Sequence, residues 1–369
     1  MKYRFAGKEK LLAFGVFPEV SLAEARRRRD DARILLRDGV DPGTIKRARK
    51  VAAKAAAANS FGAVAAEWLA KQKPKMSSAT YKKAQWTFDT LVGPWLGHRP
   101  IGDIDPPEVL SVLRRIESRG AHETAHRTKQ RCGQVFRYAI ATGRAQNDPT
   151  GALKGALSPV KVTGRAAITD GAAIGELLRA IDGYGGGLVT KTALRLAPLV
   201  FARPGELRRA EWAEIDLKGA EWRIPAAKMK MGEEHVVPLS RQAVAVLQEI
   251  QPLTGRGRYV FPSERSPLRA MSENTVNAGL RRLGFDKDTM TGHGFRAMAS
   301  TRLNELGFSP DVIERQLAHA PRNKVRAAYN RAQYLAERKE MMQAWADYLD
   351  GLRSGGVVVP IGKKPASRR

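Results

Sequence analysis

The sequence predicts a multidomain protein that is mainly α-helical and carries only small β elements. Its 369 residues are enough for two or three domains, each with its own core. Helix start signals recur along the chain, among them Asp105-Pro106 and Ser309-Pro310, where a capping side chain precedes a proline suited to the first helical position. Strand patterns are short: a hairpin within residues 1–16, and a strand pair at 221–225 and 235–239. Together these observations favour helical domains joined to small sheets.

The charge balance indicates a polyanionic partner. The chain carries 64 Lys and Arg against 37 Asp and Glu, a formal net charge of +27. Soluble enzymes are seldom this basic, and nucleic acid is the polyanion that such a surface most often binds. A membrane surface is the weaker interpretation, because the longest apolar run, residues 193–202, is interrupted by Arg195 and Pro198 and is shorter than the ~20 residues of a spanning helix.

The single cysteine, Cys132, excludes a disulfide within the chain and a metal site built from cysteines. No secretory signal is visible at the start, where Lys2 and Arg4 are not followed by an apolar block. We therefore expect a protein of the reducing cytoplasm that has no membrane partner.

Residues 1–45 are predicted to form a short α+β piece. Ser21 to Glu24 match a capping box, which begins a helix containing Arg26 and Arg27 in a run of four arginines. Such a run is usually a solvated face. Residues 1–58 nevertheless carry a net charge of +8, so a DNA-contacting arm competes with that interpretation. Two strands and one helix are marginal alone, so we expect the natural start to be longer.

Residues 46–58 are predicted to be a basic, alanine-rich helical linker that leads into an all-α unit at 59–157. Helices are predicted within this unit at 60–71, 78–95, 106–119 and 123–142. Four basic side chains suit phosphate contacts, although a plain bundle with a charged exterior explains each of them equally well: Lys82, Lys83, Arg127 and Lys129. A basic linker at 158–166, which includes Lys161, follows.

The third unit, residues 167–350, mixes helices with the strand pair, whose connecting turn carries Lys228 and Lys230. A basic tail at 351–369, rich in Gly and Pro, is predicted to be disordered. The helix before this tail has an apolar face that suits either a neighbouring subunit or its own domain. That face comprises Tyr334, Leu335, Met341, Met342, Trp345, Tyr348 and Leu349.

Two histidines and an arginine suggest a phosphate site late in the chain. His293 and Arg296 are three residues apart, so on a helix they share one face. Thr291-Gly292 precedes them as a start signal, which places both near a helix N-terminus, where backbone N–H groups favour an anion. A second helix is predicted to run from Ser309-Pro310 to about His319, because Pro321 stops it.

A phenol follows in the same stretch. A third helix from about Asn323 is predicted to carry Tyr329, and a tight turn between helices can aim His319 and Tyr329 at one point. Any one of these residues is more often packed or solvated than catalytic. As a set they suit one chemistry, which is to hold a phosphodiester and attack it with the phenol.

An upstream arginine completes the set. In Phe201-Ala-Arg-Pro-Gly-Glu-Leu207, the proline suits the first helical position, so Arg203 stands at the start of a helix. Its guanidinium can bridge two phosphate oxygens in a fork, which lysine cannot do. Glu206, one turn further on, is placed to support it.

These motifs resemble the catalytic signature of the tyrosine recombinases, the phage integrase family. The chain is similar to prophage integrases with an N-terminal arm-binding domain, and three segments carry the resemblance: ARPGELRRAEW, HVVPLS and LAHAPRNKVRAAYNR. The resemblance implies a partial arm-binding domain, an all-α, SAM-like core-binding domain and a mixed α/β catalytic domain. Such integrases usually have further residues that complete the arm domain, so the start here is expected to be truncated.

The resemblance also implies roles. Tyr329 attacks the scissile phosphorus to give a 3′-phosphotyrosyl link, while Arg203 and Arg296 hold the non-bridging oxygens. Lys230 donates a proton to the leaving 5′-oxygen, with Lys228 as the alternative, because spacing alone does not separate them. His293 assists proton removal from the phenol, and His319 hydrogen-bonds the phosphate. The covalent link conserves the energy of the broken bond, so neither a metal ion nor another cofactor is expected.

For partners, the resemblance implies double-stranded DNA attachment sites, a homotetramer on DNA that is monomeric when free, and an accessory DNA-bending protein. The location implied is the bacterial host cytoplasm, in association with the nucleoid. Two alternatives remain: a prophage remnant that binds DNA without catalysis, and a strand-relaxing enzyme like the type IB topoisomerases.

Overall fold

The structure, a computed structural model, describes residues 1–160, 164, 166–229, 232–319 and 334–355, without the side chains of 52–56. The chain divides into two compact units, residues 1–162 and 163–369. Several predictions fall outside the described residues: those for Lys161, Lys230, Tyr329, the helix from Asn323, and the tail from 356 onward.

The first unit begins with a hairpin and two helices. Strands β1 (Lys2–Phe5) and β2 (Lys8–Leu11) are antiparallel, and helices α1 (Leu22–Arg37) and α2 (Pro42–Ala58) follow. Asp41, buried at the start of α2, accepts hydrogen bonds from the Tyr3 hydroxyl at 2.6 Å and from Lys10 Nζ at 2.5 Å. These bonds tie the hairpin to the second helix, and they hold the pKa of Asp41 well below its usual range.

Only half of the predicted capping box forms at the start of α1. Ser21 Oγ accepts the Glu24 N–H at 3.2 Å. The Glu24 carboxylate instead pairs with Arg27 and Arg28 on the same helix, because two guanidiniums one turn away attract it more strongly than one backbone N–H.

The remainder of the first unit is all-α, as predicted. Its helices are α3 (Phe61–Gln72), α4 (Ser78–Trp86), α5 (Gly93–Leu96), α6 (Pro106–Glu117) and α7 (His122–Ala141). Phe61 contacts both Phe88 and Phe136 in the core. The predicted helix at 78–95 was wrong in one respect: a π-helical turn, Thr87–Val92, separates α4 from α5. Pro94 lacks a backbone N–H, so the regular helical bond cannot form there.

The second unit surrounds one apolar core with helices and two small sheets. Its helices are α8 (Gly171–Asp182), α9 (Leu188–Val200), α10 (Pro204–Leu207), α11 (Arg241–Thr254), α12 (Thr275–Arg282), α13 (Gly294–Glu305), α14 (Pro310–Gln316) and α15 (Leu335–Arg353). Its strands are β3 (Ile215–Asp216), β4 (Glu221–Ile224), β5 (His235–Pro238), β6 (Pro262–Ser263) and β7 (Ser266–Ala270).

The predicted strand pair is present, with β4 between β3 and β5 in an antiparallel sheet. Ile224 and His235 are paired, so the connection that contains the two lysines joins neighbouring ends of β4 and β5. Strands β6 and β7 form a separate hairpin.

Two helix ends differ from prediction. Helix α14 ends at Gln316 rather than near His319, because Ala318 takes the left-handed conformation, with φ of 48°, and stops it. Helix α15 continues to Arg353, past the predicted domain end at residue 350.

The apolar face of α15 is buried in its own unit. Of the two predicted positions for this face, against a neighbouring subunit or against its own domain, the structure shows the second. Five of its side chains are members of the core cluster: Met341, Met342, Trp345, Tyr348 and Leu349. Trp345 Nε1 donates to the Pro198 carbonyl at 2.9 Å. Within the described ranges, no helix combines the length and apolar character that crossing a membrane requires.

Candidate active site

Arg203 is held at the start of α10 by Glu206, as predicted. The Glu206 carboxylate is buried and accepts the Arg203 backbone N–H at 2.9 Å and its Nη1 at 2.7 Å. One carboxylate therefore caps the helix and orients the guanidinium. The Arg203 side chain retains 21% exposure, so its outer edge is accessible to a ligand.

Arg296 lies in the first turn of α13, and His293 occupies the N-cap position of that helix, as predicted. Thr291 Oγ1 accepts the Gly294 N–H at 3.1 Å, and Asn277 Oδ1 from α12 accepts the Gly292 N–H at 2.9 Å. These bonds fix the turn that carries His293, whose carbonyl accepts the Arg296 N–H at 3.1 Å.

Gly294 permits a close backbone approach at this turn. A Cβ there would lie 2.4 Å from the Ala166 carbonyl oxygen, closer than atoms can pack. The glycine in the GHGFR motif thus lets the start of α13 lie against the segment that enters the second unit.

Both guanidiniums converge on the turn that follows α14. Arg203 Nη2 donates to the Ala318 carbonyl at 2.8 Å. Arg296 Nη2 donates to the Leu317 carbonyl at 2.5 Å and lies 3.3 Å from His319 Nε2, and its Nη1 donates to the Phe201 carbonyl at 2.9 Å. Arg203 and Arg296 therefore meet at the turn formed by residues 317–319, and the last residue of that turn is His319. Three predicted catalytic residues thus lie together.

Two of these three carbonyl groups belong to residues in the left-handed conformation. Phe201 ends α9 with φ of 34°, and Ala318 ends α14 with φ of 48°. A non-glycine residue in this conformation is strained by roughly 1–2 kcal/mol, so the surrounding structure must hold it. Phe201 is fully buried against Trp345, which provides that support. Sequence analysis did not identify either residue.

His319 is oriented by Glu314, another residue that the sequence analysis missed. Glu314 Oε2 lies 2.8 Å from His319 Nδ1. A guanidinium only donates hydrogen bonds, so the Nε2 that faces Arg296 accepts, and the proton of the neutral ring lies on Nδ1, facing Glu314. The imidazole is 46% exposed, which leaves Nε2 accessible beside the two arginines.

Lys228 is engaged elsewhere in the described structure. Its ammonium group pairs with Glu211 at 2.6 Å and with Glu214, and it donates to the Arg209 carbonyl at 3.0 Å. Arg258 and Lys228 together hold the pKa of Glu211 below its usual range. The position of Lys230 is not described.

The candidate DNA-contacting side chains of the first unit are mostly exposed. Arg26, Lys82 and Lys83 lie at the surface. Arg27 pairs with Glu24, and Arg127 pairs with Glu123 at 2.6 Å. Lys129 instead donates to the Leu153 carbonyl at 2.7 Å, so its ammonium group connects α7 to a neighbouring turn of the same unit.

Three family models match successive parts of the chain. The arm DNA-binding domain matches residues 1–57, the phage integrase central domain matches 61–156, and the phage integrase family model matches 169–335. The last range contains all six predicted catalytic residues.

Curated relatives match along nearly the whole chain. The integrase of Enterobacteria phage P4 is 39% identical, over 95% of this chain and 83% of its own length. The integrase of Shigella phage Sf6 is 36% identical, over 95% and 89%, and the prophage integrase IntA of Escherichia coli K12 is 35% identical, over 94% and 84%.

Solved structures share the fold. A lambda integrase tetramer bound to a Holliday junction has a TM-score of 0.59 at 19% identity, covering 88% of this chain and 94% of that chain. A lambda integrase dimer bound to a COC′ core site has a TM-score of 0.58 at 20% identity, covering 90% and 92%. The extent and identity of the curated relatives decide the family: this chain belongs to the phage integrase family and is a tyrosine-type, site-specific DNA recombinase that acts in prophage integration.

Proposed function

We propose that this recombinase cuts and rejoins strands of double-stranded attachment sites through a 3′-phosphotyrosyl intermediate on Tyr329. The observation that supports this most directly is the convergence of Arg203, Arg296 and His319 on the turn 317–319. Two guanidiniums and an imidazole at one point make an anion site, and a phosphodiester is the anion that DNA supplies.

Arg203 is the residue best placed to receive a phosphate from solvent. A guanidinium has five N–H donors, and two of those of Arg203 are engaged by Glu206 and Ala318 within the described residues. The remaining edge is available for the non-bridging oxygens in a bidentate arrangement. Arg296 is only 4% exposed, so it supports the bound phosphate from behind, where burial strengthens its field.

His319 supplies a further donor when the phosphate arrives. A protonated imidazole keeps its Nδ1–H on Glu314 and directs Nε2–H to a non-bridging oxygen, in place of the contact with Arg296. His293, fixed by the turn before α13, assists removal of the phenol proton.

The chemical step is an in-line displacement at phosphorus. The Tyr329 oxygen forms a bond to phosphorus as the P–O5′ bond breaks, and the departing 5′-oxygen takes a proton from a general acid. We assign that acid to Lys230. Lys228, its alternative, is held by two glutamates and a carbonyl group, and it would have to break those bonds to reach the leaving oxygen.

We further propose that four copies act together on DNA while the free chain is monomeric, and that an accessory bending protein assists. The lambda integrase structures, described as a dimer on a core site and a tetramer on a Holliday junction, motivate the oligomer. The expected setting is the nucleoid of the host cell. A residual role in binding DNA without cutting it remains the alternative outcome of the test below.

The test is capture of the covalent intermediate. The protein is incubated with a nicked attachment site, so that the cleaved end diffuses away, and the products are separated on a denaturing gel. We expect a DNA-linked protein band for the natural chain. The Tyr329→Phe variant should bind the same site with equal affinity and give no such band, since only the nucleophilic oxygen is removed.

Two outcomes would contradict the proposal. An adduct that persists in Tyr329→Phe rules out this nucleophile, and binding without any adduct in the natural chain favours the non-catalytic alternative. Relaxation of a supercoiled plasmid that lacks any attachment site would favour topoisomerase-like activity.

A further inference from the structure

A buried hydrogen-bonded network lies behind the candidate active site. Gln316, the last residue of α14, accepts hydrogen bonds through Oε1 from Arg338 Nε at 2.9 Å and Nη2 at 2.7 Å. The Gln316 backbone carbonyl accepts a further bond from His235 Nε2 at 3.1 Å. Arg338 Nη2 also donates to the carbonyl of Val236, the neighbour of His235 on β5. These bonds connect β5, α14 and α15.

The network is inaccessible to solvent. Arg338 is 0% exposed, Gln316 2% and His235 6%. Burial lowers the pKa of His235 to about 3, so the ring is neutral and Nε2 carries the proton that the Gln316 carbonyl accepts. Burial also lowers the pKa of Arg338, to about 10, which leaves the guanidinium charged at neutral pH. Because solvent does not reach these side chains, a bond that is broken here is not replaced by a bond to water.

Each member of the network lies a short distance along the chain from a predicted catalytic residue. His235 begins β5, five residues after Lys230. Gln316 precedes His319 by three residues, and Arg338 follows Tyr329 by nine. The Gln316–Arg338 bonds also join the two ends of the segment that contains Tyr329.

We propose that His235, Gln316 and Arg338 are positioning residues that fix the approaches to Lys230, His319 and Tyr329 relative to the two arginines. This inference rests on the proposed function. None of the three touches the phosphate; each acts through the residue that it anchors.

Hydrogen bonds fix the orientation of a segment more tightly than apolar packing does. Apolar packing resists compression but tolerates small rotations and shifts, whereas hydrogen bonds from a planar guanidinium prescribe an angle as well as a distance. Displacing a reacting group by about 1 Å costs on the order of 100-fold in rate. Directional bonds at the ends of the catalytic segments therefore limit the displacements to which the reaction is most sensitive.

The test compares four variants of the full chain on the nicked attachment site. His235→Phe and Gln316→Leu each remove a bond at similar volume, whereas His235→Gln keeps a side-chain N–H and Gln316→Glu keeps an acceptor for Arg338. We expect the first two to form the covalent adduct about 10- to 100-fold more slowly at saturating protein, with unchanged DNA affinity. The conservative pair should recover most of the rate.

Thr254→Val is the matched control for loss of stability. Thr254 is buried in the same unit, accepts a bond from Trp212 Nε1 at 3.1 Å and donates to the Val260 carbonyl at 3.1 Å. Among the residues that the structure describes, none of its hydrogen bonds goes to a predicted catalytic residue. It should lower the melting temperature and leave the rate per folded molecule unchanged. If the His235 and Gln316 variants behave in the same way as Thr254→Val, the network is merely structural and the proposal fails.

A modified substrate separates the two sides of the network. When sulfur replaces the bridging 5′-oxygen, the phenol attacks phosphorus, the P–S bond breaks, and the thiolate leaves without needing a proton from Lys230. We expect this substrate to restore the rate of His235→Phe, which disturbs the general acid, but not that of Gln316→Leu, which disturbs the Tyr329 segment. Equal recovery, or none in either variant, overturns the assignment of roles.

The two proposals fail differently. If the natural chain gives no adduct on the nicked site, the proposed function itself is wrong. If the natural chain reacts and the variants react equally fast, only the network proposal is wrong.

Discussion

The two candidate catalytic arginines of the second unit and two candidate DNA-contacting arginines of the first unit are held in different ways. In the second unit, Arg203 and Arg296 donate to backbone carbonyls that are 115 and 95 residues away in the sequence. In the first unit, Arg27 and Arg127 pair with glutamates one turn away on their own helices, and the two arginine side chains remain 72% and 57% exposed.

From this difference we expect the two sets of cations to have separate tasks. An exposed pair within one helix contributes only about 0.3–0.5 kcal/mol, so its arginine exchanges glutamate for phosphate at little cost and serves affinity. A guanidinium fixed by carbonyls from several segments is already oriented when the phosphate arrives and serves rate. Changes in the second unit should therefore reduce strand cleavage, and changes in the first should reduce binding.

The largest expected effect is that of Arg203→Lys. Lysine keeps the charge but loses the fork that contacts Glu206 and Ala318 and that we propose holds the phosphate. We expect strand cleavage at saturating protein to fall by about 100-fold or more, with near-normal affinity for the site. The matched change Arg127→Lys should leave the cleavage rate within about twofold, because that arginine holds only an exposed pair. Equal rates for Arg203→Lys and the natural chain would show that the fork has no role.

A smaller loss is expected when the support of Arg203 is weakened. Glu206→Gln keeps the shape of the side chain but removes its charge and leaves one acceptor oxygen in place of two, so one of the two bonds from Arg203 is lost. We expect a fall in cleavage rate of about 10-fold, on the scale of 1–2 kcal/mol for such a bond, measured in a single turnover on the nicked site. A change confined to melting temperature would limit Glu206 to capping the helix.

How far the sequence predicts this site depends on the range of the interactions. Glu206 supporting Arg203 and His293 preceding α13 were predictable, because partners three residues apart meet wherever a helix starts. The contact of Arg296 with the Phe201 carbonyl was not, because no local pattern specifies which segments meet in the fold. The same limit applies to Gln316. Its place in the sequence is that of any polar residue in a helix, and its contacts with His235 and Arg338 arise only in the folded chain.

Predictions from local sequence patterns were also wrong where neighbouring residues imposed a different arrangement. Glu24 matches a capping box, yet it pairs with the arginines that follow it. Ala318 ends α14 in a conformation that favours glycine, so its residue type conceals the turn that presents a carbonyl to Arg203. The type of a residue indicates only its conformational preference. The surrounding structure overrides that preference where its contacts stabilise the fold by a few kcal/mol.

The turn at Ala318 provides a graded test of orientation. A β-branched residue is strongly disfavoured at φ of 48°, so Ala318→Val should lower the free energy of unfolding by roughly 1–2 kcal/mol and shift the carbonyl that Arg203 contacts. We expect cleavage to fall several-fold. Ala318→Gly should stay within about 1 kcal/mol of the natural stability, since relief of strain offsets the greater freedom of the unfolded chain, and should keep its activity. If both variants cleave equally well, the position of this carbonyl does not control Arg203.

The smallest effect on rate is expected from the exposed lysines of α4. Lys82 and Lys83 lie at the surface, so replacing both with glutamine removes charge without disturbing the core. Each phosphate contact contributes about 0.9 to the slope of log affinity against log salt concentration, so the double variant should flatten that slope by up to about 2. Its cleavage rate at saturating protein should match that of the natural chain, because the arginine pair is intact. An unchanged slope would mean that these lysines face solvent in the complex, and a reduced rate at saturation would contradict the division of tasks between the two units.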